Sequence, residues 1–236
     1  MHHVLLDRWS QGASPLHRRD ARAKILTLLM FLVLLATTSA QAVAILATYS
    51  ALLAAAILIA GLPLGGVLLR AMAVLPFSVT FALISWLAGE PLRGLGLVEK
   101  SYLSTVAVLL LAGVTPLPLL LGGLERLGTP RLLVLVAQFL YRYLFVLSEQ
   151  AQHMRLAAAC REGAGGHRRK SRFRAATGAV AVLFARSYGR AEGVHRAMQA
   201  RGFSGRFSLL GATRFGGADC AFLFIVSAFL ILVRVA

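Results

Sequence analysis

The sequence predicts an all-α polytopic membrane protein, with about five transmembrane helices and a cytoplasmic domain of long amphipathic helices. Three observations predict it. Hydrophobic residues fill 58% of the 236 positions and charged residues only 14%, a balance foreign to soluble domains. The formal net charge is nevertheless +16, so the charges must be concentrated. They are: 16 Arg and Lys against 4 acids lie from Gly122 to Gly217, and 5 basic residues against 2 acids in the first 24. The runs between are nearly bare. Three regions follow. Residues 1–121 carry a cytoplasmic segment and four spans, 122–217 form the basic cytoplasmic region, and 218–236 return to the membrane.

Residues 1–24 are polar, with a break at Ser14-Pro15 and Asp20 as cap for a helix from Ala21. The first apolar run follows this charged preface and leads into a second run without a clear cleavage site. The preface therefore reads as a cytoplasmic anchor rather than a signal peptide. No charge occurs between Lys24 and Arg70, and those 45 residues suit two spans of about 20 residues each. Thr37 to Gln41 is the polar interruption, which places the spans near 22–38 and 42–61. A third span is expected near 71–88, kinked at Pro76 and ending at the interfacial Trp86. Residues 89–100, with Glu90, Arg93, Glu99 and Lys100, read as a loop, and a fourth span near 101–120 ends at Pro116 and Pro118.

From Pro130 to Glu162 a helical period persists but charges interrupt it. Gln138, Arg142, Glu149 and Gln152 fall on one stripe opposite a broad Leu-rich side, so an amphipathic helix is expected rather than a span. Gly163 to Gly166 stops it, and His167-Arg168-Arg169-Lys170 makes a basic turn. A second amphipathic helix is expected over about 172–201, with Glu192 and Arg196 as an i,i+4 pair and Gly202 as its C-cap. Residues 203–218 read as loop. The last span holds only 14 uncharged residues between Asp219 and Arg234, so its ends must extend and Arg234 must snorkel. Basic residues favour the cytoplasm, which places the N-terminus and 122–217 inside and the C-terminus outside. The reverse orientation would put 22 of the 25 basic residues outside.

Several chemistries are excluded. No Gly-x-x-x-x-Gly-Lys-Ser/Thr occurs, so the chain is not expected to hydrolyse ATP itself, and no His-Glu-x-x-His occurs. Nine scattered acids offer no paired-carboxylate site. Cys160 and Cys220 have no metal spacing and lie in different surroundings, so no disulfide is expected. His2 and His3 read as a polar terminus, and His17, His153 and His195 do not converge. The first four spans hold no ionisable group between their end charges, which argues against a self-sufficient ion-coupled carrier.

The basic region admits nucleic-acid binding, attraction to anionic lipid, or protein docking. Few aromatics interleave its charges, which disfavours nucleic acid. Lipid attraction accounts for Arg168, Arg169, Lys170, Arg172 and Arg174. Docking predicts arginines at helix ends. One helix closes on Ala159-Cys160-Arg161-Glu162 and the next on Ala200-Arg201-Gly202. Small residues admit a partner's backbone, and a guanidinium offers five donors in a fixed fork. The plainer account is that an arginine near a helix C-terminus complements the macrodipole, for about 0.3–1 kcal/mol.

Three segments, in order, resemble one family. Ser14-Pro15-Leu16-His17-Arg18-Arg19-Asp20-Ala21-Arg22-Ala23-Lys24 looks like the opening of the transmembrane (T) component of energy-coupling factor transporters, in the cobalt/nickel branch, CbiQ. Tyr141-Arg142-Tyr143-Leu144-Phe145-Val146-Leu147 is similar to the start of that family's long coupling helix. Val194-His195-Arg196-Ala197-Met198-Gln199-Ala200-Arg201-Gly202-Phe203 resembles its second coupling motif. The resemblance implies a non-catalytic subunit in a bacterial plasma membrane. It implies two partner ATP-binding cassette ATPases, which bind the ATP, and a separate substrate-binding (S) membrane subunit for cobalt or nickel. The chain itself would hold no cofactor and no metal. Ala200, Arg201 and Gly202 carry over as one ATPase-docking motif. Ala159, Cys160 and Arg161 stand at the other, where Glu162 departs from the family's small residue and Arg155 is the fallback. Two other readings stay open: a T component shared by vitamin-binding S subunits, and a membrane-anchored scaffold with a basic face.

Overall fold

The computed structural model describes residues 9–10, 12, 14–39, 42–162, 169–203, 205 and 215–235. All regular structure among them is helical. The elements are α1 (Ala21–Thr37), α2 (Val43–Ala60), α3 (Leu64–Ala71), a 3-10 turn (Met72–Val74), α4 (Leu75–Leu87), α5 (Pro91–Val114), α6 (Leu117–Arg126), α7 (Arg131–Glu162), α8 (Arg169–Ala200) and α9 (Gly217–Val235). The fold is the expected all-α polytopic one. Its contacts form two units, Met1–Thr129 with Leu209–Ala236, and Pro130–Ser208. The expectations for His2, His3, Gly163 to Gly166, His167 and Arg168 lie outside the described residues, as does most of the loop expected over 203–218.

Two helices, α1 and α2, lie where the sequence puts the first two spans, on either side of the polar interruption. Asp20 caps α1, its carboxylate accepting the Arg22 N–H at 2.9 Å. Gly61, at φ 69°, closes α2. Pro76 was expected to kink the third span. The structure answers with the 3-10 turn just before it, which joins α3 and α4 into one helical run from Leu64 to Leu87.

One expectation needs correction. Residues 89–100 are not a loop, because α5 begins at Pro91, directly after a turn at 88–90. Proline is favoured at the first helical position, where its missing N–H costs nothing. Gly94 then lets α5 lie against α4, since a Cβ there would sit 2.8 Å from the Ala82 carbonyl oxygen. The fourth span is correspondingly Pro91–Val114. Beyond it α6 packs on α1, with Gly122 and Gly123 buried. That packing keeps α6 with the first unit.

The core of the first unit forms where α1, α2, α3, α5 and α9 meet. Phe31, Leu35, Leu46, Tyr49, Ile57, Val67 and Leu230 are almost wholly enclosed, and Phe31 meets Tyr49 edge-on at 5.5 Å. Arg70 stacks on the Trp9 ring at 4.2 Å, tying the N-terminal segment to α3.

Helix α9 runs parallel to α1 and is fastened to it at both ends. At the start, the Asp219 carboxylate accepts the Asp20 N–H at 3.2 Å and the Gly216 N–H at 3.1 Å. At the far end, Arg234 turns onto the last turn of α1. It donates to the Leu34 carbonyl at 3.0 Å, the Thr37 carbonyl at 3.0 Å and the Thr37 hydroxyl at 2.8 Å. It also reaches the Thr38 hydroxyl at 3.2 Å. Lys100 donates to the Ala36 and Thr38 carbonyls beside it. The last carbonyls of a helix have no intrahelical partner, so two cations here complete the end of α1.

In the second unit α7 and α8 pack against each other. Along α7, Phe139 stacks with Tyr143 at 6.3 Å and Tyr141 meets Phe145 at 5.2 Å. Arg142, Glu149 and Gln152 are exposed, as the polar stripe required. Several large apolar residues of the first half are exposed too, with Leu132 at 71% and Leu140 at 65%, while Val134 is buried. By length and composition, Arg131–Cys160 is therefore also apolar enough to cross a membrane, alongside Leu64–Leu87, Pro91–Val114 and Gly217–Arg234.

Arg234→Ala removes every donor that the last α9 turn lends to α1. Hydrogen bonds to charged groups contribute about 1.5–3 kcal/mol, so a clear drop in the thermal unfolding midpoint in detergent is expected. Arg93→Ala, which breaks only the exposed pair with Glu90, is the control and should cost about 0–1 kcal/mol. Equal midpoints for the two variants would show that the α1–α9 fastening carries no stability.

Candidate functional site

The candidate site consists of two helix ends. Helix α8 stops in a Schellman arrangement. The Gly202 N–H donates to the Gln199 carbonyl at 3.0 Å and the Phe203 N–H to the Met198 carbonyl at 3.0 Å. Gly202 adopts φ 70°, the left-handed region that costs a side-chain-bearing residue about 1–2 kcal/mol. Arg201 is the capping residue between the last helical turn and that glycine, its N–H shared between the Ala197 and Met198 carbonyls. Ala200, Arg201 and Gly202 are all exposed.

The neighbouring polar side chains are already occupied. Arg196 pairs with Glu192 at 3.3 Å, the i,i+4 contact expected from the sequence, and His195 contacts Gln199 at 3.0 Å. The Arg201 guanidinium has no such partner among the described residues. The position is thus fixed by its backbone while the charge faces outward.

Helix α7 ends at Glu162. Ala159 and Cys160 are exposed, and Arg155 is exposed further back on the same helix. Arg161 stands in the last turn, but its side chain and that of Glu162 lie outside the described residues. The structure does not merge the two motifs into one site. All 32 residues of α8, about 48 Å of helix, stand between them along the chain. An exposed apolar stripe, Val180, Phe184 and Tyr188, runs along one side of that rod.

Sequence reasoning missed the polar cluster at the start of α1. Lys24 is buried and donates to the His17 carbonyl at 3.2 Å and the Thr115 hydroxyl at 3.0 Å. His17 in turn contacts Ser14 at 2.6 Å and the Trp9 carbonyl at 3.1 Å. A lone lysine just inside an apolar run was the available signal, because such a charge must find partners. Among the described residues no three His, Cys, Asp or Glu side chains gather as a metal site.

A family model described as cobalt transport protein, CbiQ, matches residues 12–209. Over 120 residues the chain is 32% identical to the cobalt transport protein CbiQ of Rhodobacter capsulatus, covering 51% of this chain and 48% of that one. It is also 32% identical over 104 residues to an uncharacterized protein of Methanocaldococcus jannaschii, covering 44% of this chain and 38% of that one. These alignments span about half or less of the curated relatives' length. The family match itself runs from ahead of α1 to beyond the Gly202 cap and takes in both helix ends, and on that match the chain belongs to the CbiQ family of cobalt transport proteins.

Proposed function

We propose that this chain is the energy-coupling membrane subunit of an energy-coupling factor importer for cobalt or nickel. It passes the ATP-driven motion of two partner ATPases to a separate S subunit, which reads the substrate. The N-terminus and the α7–α8 unit face the cytoplasm of a bacterial cell, where the basic residues belong. The chain needs no cofactor in this scheme, since ATP is bound by the partners.

The observation that carries the reading is Arg201, an outward guanidinium without a side-chain partner among the described residues, on a backbone-locked helix end. A group so held loses little freedom on docking, and its fork suits a carboxylate or a row of carbonyls in a groove. Arg161 supplies the second dock, beside the exposed Ala159 and Cys160. Two docks separated along a rod of about 48 Å fit two ATPases better than one. The exposed apolar stripe on α8 provides a surface that an S subunit can feel when the rod moves.

Affinity purification of the full chain from its own membranes, followed by mass spectrometry, is expected to recover one or two ATPases and a small metal-binding membrane protein. Recovery of neither overturns the proposal. Recovery of a vitamin-binding membrane protein instead reassigns the substrate.

Arg201→Ala is expected to uncouple ATP hydrolysis from uptake while the protein still inserts. Truncating one partner of a docked charge pair costs about 2–5 kcal/mol, which reads as loss of ATPase co-purification. Arg161→Ala should act in the same direction but more weakly. Arg201→Lys should fail as well, because lysine lacks the fork; a basic scaffold would tolerate it. Normal assembly and uptake by the Arg161→Ala/Arg201→Ala double variant would refute docking through these ends.

Gly202→Val tests the cap separately. It keeps the arginine but strains the left-handed position by about 1–2 kcal/mol, so amide exchange at Phe203 should accelerate about 5–30-fold. Weakened ATPase binding should accompany it. Unchanged exchange would show that the cap does not hold Arg201.

A further inference from the structure

Within the first unit, α1, α2, α5 and α9 enclose an apolar cavity of about 290 Å³. Phe31, Leu53, Leu110, Phe222 and Leu230 form much of its wall, and Lys24 is its one charged lining residue. Ala55 and Ile59 on α2 line it and are exposed, so it opens sideways on that helix. It sits towards one end of the bundle. Lys24 belongs to the first turn of α1, Ile59 and Val114 to the last turns of α2 and α5, and Phe222 to the second turn of α9. This is the end that carries the N-terminal basic residues.

The cavity is continued by chemistry of the opposite kind. Lys24 also lines a small polar cleft of about 30 Å³ with His17, Arg19, Asp20, Thr115 and Arg126. The Arg19 guanidinium lies 6.0 Å from the centre of the Phe222 ring, and that ring is part of the apolar wall. The two nearby acids are already engaged: Asp20 accepts from the Arg22 N–H and Asp219 from the Asp20 and Gly216 N–H groups. An apolar slot thus runs up to a rim of net positive charge.

We infer that the slot and its rim hold one anionic phospholipid of the cytoplasmic leaflet. An acyl chain lies between α2 and α9, and the phosphate sits by Arg19 and Lys24. An apolar cavity of this kind does not take up water, and walls that face a void forfeit dispersion contacts. A lateral opening in a bilayer meets acyl chains first. Charge complementarity selects the headgroup, because each basic residue near the surface favours an anionic lipid and a guanidinium matches a phosphate. The inference rests on the cytoplasmic orientation of the N-terminal segment and not on ATPase docking. It is therefore tested on the isolated chain, where failure of docking cannot affect the result.

The test is native mass spectrometry of the full-length chain. The chain is released from nanodiscs of phosphatidylcholine mixed with phosphatidylglycerol. One retained phosphatidylglycerol per chain is expected. Ala56→Phe, which fills the slot from α2, should lower retention of either lipid about tenfold. Arg19→Gln should still retain lipid but lose about fivefold in headgroup preference. The unfolding midpoint of each variant in lipid-free detergent identifies any that simply misfolds. Equal retention by wild type and Ala56→Phe, or an unchanged preference in Arg19→Gln, overturns the assignment. A wild-type chain that retains no lipid also overturns it, and leaves the slot to a helix of a partner subunit.

Discussion

Asp219 and Arg234 hold α1 at both of its ends, and much of the first unit depends on that fastening. Each would be costly alone, since a charge near the hydrocarbon region must be paired or hydrated. Together they bracket α9 and match its short apolar stretch to the 17 residues of α1. The Asp20–Asp219 contact joins residues 199 apart in sequence, so the chain cannot complete this bundle until α9 returns to the membrane. Everything between α6 and α9, the α7–α8 unit included, is carried as an insertion whose two stems are both anchored on α1.

Local signals made part of this legible. The charge-free run to Arg70, the cap at Asp20 and the stop at Gly202 each depend on a few adjacent residues, and the structure places them as the sequence implied. What could not be read depended on residues far apart. Nothing near Arg234 tells that its partners are Leu34, Thr37 and Thr38. The polar residues of 89–100 resembled a loop because charge in a membrane protein usually marks one. They form the first turns of α5, supported by a close approach to Ala82 that only the partner helix reveals. The stripe on α7 was read as amphipathic. The charges lie mostly in its second half, so its first half also has the composition of a span. Of the candidate site, Arg201 and Gly202 were legible to the level of the cap, whereas Arg161 rests on its place in the last turn of α7.

The two units satisfy their apolar surface differently. The first buries Phe31, Tyr49 and Ile57 among its own helices. The second leaves Leu132, Leu140, Phe184 and Tyr188 exposed on α7 and α8, which pack against each other. Exposed apolar faces of this extent mark contact with lipid or protein.

The capping of α1 reaches beyond stability. In the orientation proposed above, with the N-terminus inside, the outward cations of the described residues are Arg93, Lys100 and Arg234. Arg93 is paired with Glu90, and the other two point into the carbonyls that end α1. In that orientation only three of the chain's 25 basic residues lie outside, and each faces a carboxylate or carbonyl dipoles. Surface fields repel or attract an approaching ion well before contact. The same residues that complete a helix end thus also turn their charge toward the protein rather than toward whatever approaches that side.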